Sequence, residues 1–467
     1  MITLKNQSTF NNFSILYSKA TPSFFYLFEK YIQLHNIIPE SVKQKYYSTV
    51  GSKRKYSLTS MIKFFILKNI LGISTFSTLL RFLSLSKELR DFCEFDDLPH
   101  ASQISRFCTR FSKEVNQILH VLVEITQPML KEIDPFLSSI LISDTTGFEV
   151  YVKENNPKFY ANLLRISKNF GKLNDIENFN PEKYAQSQYP KYAYANPEIH
   201  LSYLNSHFGF FVKSNIVTDG LGIIRHIDFY DEEMDFSLNP NSAKDKYDSK
   251  TLIPVLENYF SLHPEYKYKY FLGDAGFDSC DNYEYLIKDK NISPIIPLNP
   301  RNQSNLPKPN FTPEGIPTCP HYSTLEMKFD GITREKGRSD RLKYICPKSK
   351  KYKIDGHTAY KVSCNNRCTK SKCGRIVQIC INSNYRLNTP VPRNTQRWND
   401  LYKIRTICER TISQLKICFN SKYSFIRNTN SMKTNILFAA ITQLVTVILA
   451  YKSNDFSKIK SIKSLIA

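Results

Sequence analysis

The stretch "FLSSILISDTTGFEV" (136–150) decides the fold class. Its apolar residues form one short unbroken run that ends in Asp144, with Gly147 close behind. A run of this length and composition predicts a strand buried on both faces. A second apolar run, "YKYKYFLGDAGFDS" (266–279), ends in the same way at Asp274. The sequence therefore predicts two buried strands, each with a carboxylate where the strand ends.

The segments around these two strands alternate in pattern. The stretch 207–233 predicts a hairpin with Asp219 at its turn. A helix is predicted over "DSKTLIPVLENYF" (248–260), a second helix over "NYEYLIKDK" (282–290), and a strand over "ISPIIPL" (292–298). Strands and helices in this order predict a mixed α/β sheet covered by helices.

The first 132 residues have a helical pattern throughout. Amphipathic stretches occur at 57–72, 74–95 and 99–130. A basic cluster lies just upstream or at the start of them, at Lys43, Lys45, Lys53, Arg54 and Lys55. A small basic helical module is typical of helix-turn-helix DNA-binding domains. A helical dimerisation or packing domain fits the same pattern, and the sequence leaves both open.

The charge balance points to a polyanionic partner. The chain holds 64 Lys and Arg against 42 Asp and Glu, a formal charge of +22. Nucleic acid and an anionic membrane surface both fit this surplus. The apolar run Ile436–Tyr451 is too short for a typical membrane span and contains Thr442 and Gln443, so it predicts a buried helix. No nucleotide-binding or serine-nucleophile motif is present, and neither a membrane nor a small-molecule substrate is expected.

Residues 300–396 differ from their surroundings. They hold many prolines and a dense basic run, and we interpret them as an insertion. Four thiolates could bind Zn²⁺ tetrahedrally and organise such a core-poor segment. The candidate ligands are Cys346, Cys364, Cys368 and Cys373, with Cys319 or His321 able to replace one of them. Reduced, buried thiols in a small subdomain are the alternative.

Charged residues recur at helical spacing in "LYKIRTICERTISQLK" (401–416). Tyr402, Arg405, Glu409 and Lys416 project within about 60° on one face of a continuous helix. A carboxylate flanked by cations suits a metal site that faces a phosphodiester. A solvated face with an Arg405–Glu409 ion pair is the alternative.

The spacing Y-x2-R-x3-E-x6-K resembles the signature helix of DDE transposases encoded by bacterial insertion sequences. "ISDTTGFEV" (142–150) is similar to the first-aspartate strand of that family, and "YFLGDAGFDS" (270–279) to its second-aspartate motif. "KYDSKTLIPVL" (246–256) resembles the stretch before the second aspartate, and 55–95 the helical N-terminal domain. The resemblance covers nearly the whole chain.

This resemblance implies a ribonuclease H-like fold with Asp144, Asp274 and Glu409 as the catalytic triad. The triad would hold two Mg²⁺ or Mn²⁺ ions, with water and then a DNA 3′-OH as nucleophiles. Tyr402, Arg405 and Lys416 would hold the terminal nucleotides and phosphates. We interpret Asp278 and Asp281, just past the second motif, as helix caps and Glu149 as lying beyond a turn.

The resemblance also implies an organisation and partners. The predicted order is a DNA-binding domain (1–132), the first part of the catalytic core (133–299), the insertion (300–396), the C-terminal helices of the core (397–455) and a basic tail (456–467). The expected partner is double-stranded DNA, as terminal inverted repeats and target, bound by a homodimer in the bacterial cytoplasm at the nucleoid. Two alternatives remain: a nuclease on the same fold without strand transfer, and a silent DNA-binding protein derived from a transposase.

Overall fold

The computed structural model describes residues 24–48, 53–175, 177–204, 207–230, 248–302, 309–417 and 425–460. The chain divides into two compact units. The first unit comprises Met1–Ser138, Thr145–Met234 and Glu409–Ala467, and the second unit comprises Ser139–Asp144 and Asp235–Cys408. Most of the predicted basic tail, from residue 461 onward, lies outside the described residues.

The helices are numbered in chain order. They are α1 (Phe24–Tyr31), α2 (Leu34–Ile37), α3 (Glu40–Tyr46), α4 (Leu58–Ile70), α5 (Phe76–Leu85), α6 (Lys87–Phe92), α7 (Ala101–Arg110), α8 (Ser112–Ile133), α9 (Pro157–Leu173), α10 (Pro181–Ser187), α11 (Asp248–Leu262), α12 (Cys280–Glu284), α13 (Gln396–Ile404), α14 (Thr406–Ile417) and α15 (Thr429–Lys452).

The strands are numbered in the same way. They are β1 (Ile140–Glu149), β2 (Tyr192–Ala193), β3 (Asn196–Leu204), β4 (His207–Asp219), β5 (Ile224–Phe229), β6 (Tyr270–Leu272), β7 (Ser293–Ile295), β8 (Thr318–Cys319), β9 (Tyr322–Glu326), β10 (Lys328–Thr333), β11 (Arg341–Ile345), β12 (Ser349–Ile354), β13 (His357–Val362) and β14 (Ile376–Cys380). The chain is therefore mixed α/β, as the sequence predicts.

The first unit is organised around the apolar helix α15, which packs against α4, α7 and α8. The rings of Phe65 and Phe438 stack with their centroids 4.3 Å apart, and Asn69 donates a hydrogen bond to the Thr442 hydroxyl at 3.0 Å. Among the described residues α15 is the one helix long and apolar enough to cross a membrane, yet 94% of its most apolar stretch is buried inside the protein. The prediction of a buried helix here is confirmed.

The strands of the first unit follow the order β2-β3-β4-β1, with β5 paired to β4. The β4–β5 pair is antiparallel, with Ile216 opposite Ile227. At the turn, the buried Asp219 carboxylate accepts the N–H groups of Leu221 and Ile223, both at 2.9 Å. The predicted hairpin is confirmed, and the aspartate side chain explains its tight turn.

The second unit combines parallel strands with small antiparallel sheets. The first residues of β1 pair in parallel with β6, and β6 pairs in parallel with β7. Within 309–396 the strands form the sheets β10-β11-β14, β12-β13 and β8-β9. This region has a core of its own, made of Ile316, Met327, Leu342, Tyr344 and Ile381.

Candidate active site

Asp144 and Asp274 lie on neighbouring parallel strands in the second unit. Ile142 of β1 pairs with Leu272 of β6, and each aspartate follows two residues after its member of that pair. The shared register places both residues at the same edge of the sheet. This position follows directly from the two buried apolar runs, which set the strands side by side.

One detail of the first strand differs from the prediction. β1 does not end at Asp144 but continues to Glu149, with Gly147 inside the strand. A Cβ at Gly147 would lie 2.9 Å from the Phe211 ring, so glycine is required there by packing rather than by a turn. The interpretation of Glu149 as lying beyond a turn is therefore wrong.

The second aspartate is held by a tight turn. Its side chain accepts the N–H of Gly276 at 2.9 Å. A Cβ at Gly276 would lie 2.9 Å from an Asp274 oxygen and 3.1 Å from an Asp248 oxygen, so both carboxylates crowd the same point. Sequence reasoning did not expect Asp248 beside Asp274, although its place at the start of α11, in a segment that resembles the family's, was the available signal.

The surroundings of Asp274 and Asp248 disfavour two negative charges side by side. Burial raises the pKa of Asp274 above its usual value, and the neighbouring Asp248 raises that pKa further. The N–H groups of Gly276 and Phe277 and the Arg405 guanidinium act in the opposite direction. A cation bound here would relieve the repulsion between the carboxylates.

Tyr402 and Arg405 belong to the same unit as the two aspartates. α13 lies against β6 and β7, with Trp398 buried and stacked on Tyr402 at a centroid distance of 4.9 Å. The Arg405 guanidinium lies 5.6 Å from the Tyr402 ring. The structure thus groups Tyr402 and Arg405, and the effect of Arg405 on the pKa of Asp274 places it in the surroundings of that carboxylate.

The continuous helix predicted over 401–416 is interrupted. α13 ends at Ile404, and α14 begins at Thr406. At the junction the Arg405 N–H bonds to the Tyr402 carbonyl and the Cys408 N–H bonds to the Arg405 carbonyl, both at 3.0 Å and both spanning three residues instead of four. This tighter winding changes the helical phase between Tyr402 and Glu409, so the regular stripe derived for one continuous helix is a simplification.

Glu409 and Lys416 lie on α14 in the first unit. Glu409 is exposed in the first turn of that helix. Thr411 donates to the Gly222 carbonyl at 2.8 Å, and Lys416 donates to the Thr146 hydroxyl at 2.5 Å. Since Glu409 and the two aspartates are assigned to different units, the complete triad stays a prediction from the motif.

Comparison with protein families decides the identity of the chain. The model of the transposase DDE domain matches residues 207–444, and that of a transposase domain called DUF772 matches residues 15–110. The chain belongs to the DDE transposases. The family resemblance read from the sequence is confirmed, and the protein is accordingly a DNA-cleaving and transposing enzyme.

Other comparisons add little to the identification of this transposase. A cryo-EM structure of the piggyBac transposase synaptic complex with hairpin DNA is similar over 95% of this chain and 77% of the other, at 11% sequence identity and a TM-score of 0.36. No curated protein matches the sequence.

The donor set of the transposase suits the metal that its family uses, generally Mg²⁺. Asp144 and Asp274 offer carboxylate oxygens at one sheet edge, and hard divalent cations prefer such ligands. Within the part of the chain that the structure describes, no group of three or more His, Cys, Asp or Glu side chains is arranged to hold an ion. The fit therefore rests on the positions of Asp144 and Asp274 and on the repulsion between Asp274 and Asp248, which a cation would relieve.

The cysteines that lie together in the transposase are not the same four that the sequence predicts as zinc ligands. One small pocket is lined by Cys319, Cys346, Cys364 and Cys368. The Cys373 sulfur instead lies 2.8 Å from the Ser371 hydroxyl. Cys319, named in the sequence analysis as a replacement ligand, thus shares a pocket with three of the predicted ligands, and Cys373 does not line that pocket.

The two acidic residues past the second motif do not cap α12. Asp278 is buried and ion-paired to Arg386, while Ser279 caps α12. Asp281 lies inside the first turn of α12 and ion-pairs with Lys250 at 3.2 Å. Neither residue supplies the side-chain cap of α12, because Ser279 between them takes that role. Asp278 is instead the C-terminal capping residue of the short 3-10 helix Ala275–Phe277, through its backbone N–H, so the interpretation as caps holds for Asp278 and is wrong for Asp281.

Proposed function

We propose that this transposase cleaves DNA at the ends of an insertion sequence and joins the freed 3′-OH ends to target DNA. The observation that carries the proposal is the register of β1 and β6, which sets Asp144 beside Asp274 at one sheet edge. Glu409 would complete the acidic set from α14. Two divalent cations held by these carboxylates would supply Lewis-acid activation of the attacking oxygen and stabilisation of the leaving oxygen.

The residues of the chain have separate tasks in this reaction. Asp144 and Asp274 would hold the divalent cations and so fix the position of the scissile phosphate relative to the sheet edge. Arg405 offers a guanidinium near Asp274, where it can pair with a DNA phosphate. Tyr402, held by its stack on Trp398, presents a ring to the terminal nucleotides. Water is the nucleophile of the first step, and the 3′-OH is that of the second.

The partner follows from charge and reaction. A formal charge of +22 suits an extended contact with duplex DNA, and affinity for it should fall steeply with salt. Bringing two inverted repeats together requires at least two active sites, so we propose a homodimer. The proposed location is the cytoplasm at the nucleoid, where the DNA substrate is found.

The basic Cys-rich region is proposed to bind structural zinc. Three of the four predicted ligands, Cys346, Cys364 and Cys368, line one pocket together with Cys319. Small rotations of thiolate side chains that already share a pocket can close a tetrahedral site around an added ion. Zinc would then stabilise β strands whose own apolar core is small.

The experiment for the catalytic proposal uses a labelled duplex that carries the terminal inverted repeat of the element, with Mg²⁺ and a target plasmid. Asp144→Asn, Asp274→Asn and Glu409→Gln are expected to lose both cleavage and joining. Asp281→Asn is the matched control, because that carboxylate lies near the second motif but is exposed and ion-paired elsewhere.

The wild-type protein can give three results in this assay, and each result supports a different function. Cleavage followed by joining supports the transposase reaction. Cleavage without joining identifies a nuclease on the same fold, and duplex binding without cleavage identifies a silent DNA-binding protein. Wild-type activity in the Asp144→Asn or Glu409→Gln variant would contradict the triad.

A further inference from the structure

A large pocket opens beside the end of β1, entirely within the first unit. Its volume is about 910 Å³, a size suited to a small organic group. The side chains that matter for its chemistry are Tyr151, Lys153, Glu154, Tyr194, Phe425 and Arg427. None of them belongs to the predicted catalytic or DNA-holding set.

Three aromatic rings of the pocket are exposed to solvent. Tyr151 is 47% exposed, Tyr194 is 61% exposed and Phe425 is 60% exposed. Tyr151 and Phe425 meet edge to face with their centroids 5.3 Å apart. Exposed aromatic rings grouped at one pocket mark a binding site, and in nucleic-acid-binding proteins such rings stack on bases.

Two cations lie over these rings. The Lys153 ammonium is 4.4 Å from the centroid of the Tyr194 ring, and the Arg427 guanidinium is 5.7 Å from that of Tyr151. Aromatic rings interleaved with basic groups provide both a stacking surface and a charge for a phosphate. The pocket therefore suits a nucleotide better than an uncharged ligand.

A buried acceptor stands in the same pocket. Glu154 is only 2% exposed, and one of its oxygens accepts the Tyr194 N–H at 3.3 Å. The other oxygen is buried and has no hydrogen-bond partner among the described residues. A buried acceptor without a donor is unfavourable, so this oxygen calls for an N–H group supplied by a ligand.

The wall that carries Glu154 is fixed in place. The Asn155 amide donates to the carbonyls of Val150 and Phe210, both at 2.8 Å, and its oxygen accepts the Phe210 N–H at 2.9 Å. The two bonds with Phe210 tie the loop after β1 to β4, and the bond to Val150 closes the loop on itself. A pocket held in this way needs little reorganisation to bind its ligand.

We propose that this pocket binds an unpaired nucleobase of the DNA substrate. The base stacks on the tyrosine and phenylalanine rings and donates an N–H from its Watson–Crick edge to Glu154. That edge offers a free donor only when the base is unpaired. The flanking phosphates meet Lys153 and Arg427, while the Glu154 carboxylate keeps a phosphate from entering the pocket itself.

The inference rests on the proposed function, since it takes DNA as the ligand. The test compares three fluorescently labelled duplexes of one sequence by anisotropy: fully paired, with a bulged cytidine, and with a bulged abasic site. The wild-type protein is expected to bind the cytidine bulge about tenfold more tightly than the abasic bulge, as stacking of one base provides. The abasic duplex keeps the backbone distortion and lacks only the base.

Variants of the pocket residues test whether this pocket causes the preference for the cytidine bulge over the abasic bulge. Tyr151→Ala with Tyr194→Ala is expected to remove the preference for the cytidine bulge, while Tyr151→Phe keeps the ring and should retain it. Glu154→Leu removes the acceptor at similar size and should reduce the preference. All variants are expected to bind the paired duplex as the wild type does, which also shows that they are folded.

Two results would overturn the proposal. Equal binding of the cytidine and abasic bulges by a wild-type protein that binds paired duplex would show that the pocket reads no base. Full preference in the double alanine variant would place the base elsewhere. Failure to bind any of the duplexes would instead contradict the proposed function, and the pocket assignment with it.

Discussion

Lys416 donates a hydrogen bond from its ammonium to the hydroxyl of Thr146. Thr146 follows Asp144 by two residues on β1, and the same ammonium lies 5.6 Å from the centroid of the Phe148 ring. The last signature residue of α14 is therefore fixed to the strand that carries the first aspartate. We therefore expect Lys416 to position the helix of Glu409, in addition to any contact with DNA.

Removing the acceptor tests this role. Thr146→Val keeps the volume of the side chain, and its loss of one charge-assisted hydrogen bond should slow DNA cleavage about tenfold, the equivalent of about 1.4 kcal/mol. DNA affinity should stay unchanged, because the Lys416 charge remains. Single-turnover cleavage and duplex anisotropy measure the two effects separately.

A double-mutant cycle completes the test. Thr146→Val and Lys416→Met should not add when combined, since they remove the same bond. Ser413→Ala, on the exposed face of α14, is the control and should cleave normally. Additive losses, or weaker DNA binding by Thr146→Val, would show that Lys416 works through DNA alone.

Asp278 and Arg386 predict a second effect, on stability. The two form a bidentate pair at 2.7 and 2.8 Å, with the carboxylate fully buried. Asp278→Asn leaves the Arg386 charge poorly compensated and should lower the free energy of unfolding by about 3–5 kcal/mol. Urea denaturation measures the change.

The control for this pair lies three residues away. Asp281 pairs with Lys250 at the surface, where both side chains are more than half exposed. Asp281→Asn should therefore change the free energy of unfolding by about 0–1 kcal/mol. Equal losses in the two variants would mean that the buried pair adds nothing specific.

The sequence predicted features that depend on local pattern. The buried strands β1 and β6, the hairpin at Asp219 and the buried helix α15 follow from unbroken apolar runs and turn residues, and the structure confirms them. These elements also set Asp144 and Asp274 two residues beyond the paired residues Ile142 and Leu272 of neighbouring strands. The pattern of apolar residues along the sequence indicates which segments are buried, and buried strands pack side by side in the core.

Features that depend on distant partners were not predictable. Asp278 has its partner 108 residues away, so a carboxylate just before a helix was interpreted as a cap. Carboxylate oxygens of Asp248 and Asp274 both lie close to Gly276, although the two aspartates are 26 residues apart in the sequence. Cys319 shares a pocket with Cys346, Cys364 and Cys368 only because the sheets of 309–396 bring these distant segments together. The helix break at Arg405 was not predictable either, because no proline or glycine lies near it in the sequence.

Two lysines of α4 predict opposite effects of pH. Burial lowers the pKa of Lys68 to about 8, so its charge opposes folding below that pH and the penalty disappears above the ordinary pKa of 10.5. Lys68→Met should raise the free energy of unfolding at pH 7 by up to about 3 kcal/mol. The gain should shrink as the pH rises from 8 toward 10.5.

Lys63 is the matched control on the same helix. Burial acts to lower its pKa, but hydrogen bonds to Glu29 and Glu94, at 2.7 and 2.8 Å, outweigh burial and raise it. Its charge therefore supports folding at neutral pH, and Lys63→Met should destabilise by about 1–2 kcal/mol, since both carboxylates are half exposed. Thermal unfolding at pH 7 and pH 10 compares the two, and a stabilised Lys63→Met variant would contradict the assignment.

The cysteine pocket predicts which thiols hold zinc. Cys319, Cys346, Cys364 and Cys368 line it, whereas the Cys373 sulfur is directed to Ser371. Purified protein should contain about one zinc ion per chain, and Cys319→Ser should lose it while Cys373→Ser keeps it. Mass-spectrometric metal analysis measures the content, with the exposed Cys280→Ser as control. A chelator should lower the unfolding temperature of the wild type only if the ion is structural. Zinc that is retained by Cys319→Ser and lost by Cys373→Ser would restore the ligand set drawn from the sequence.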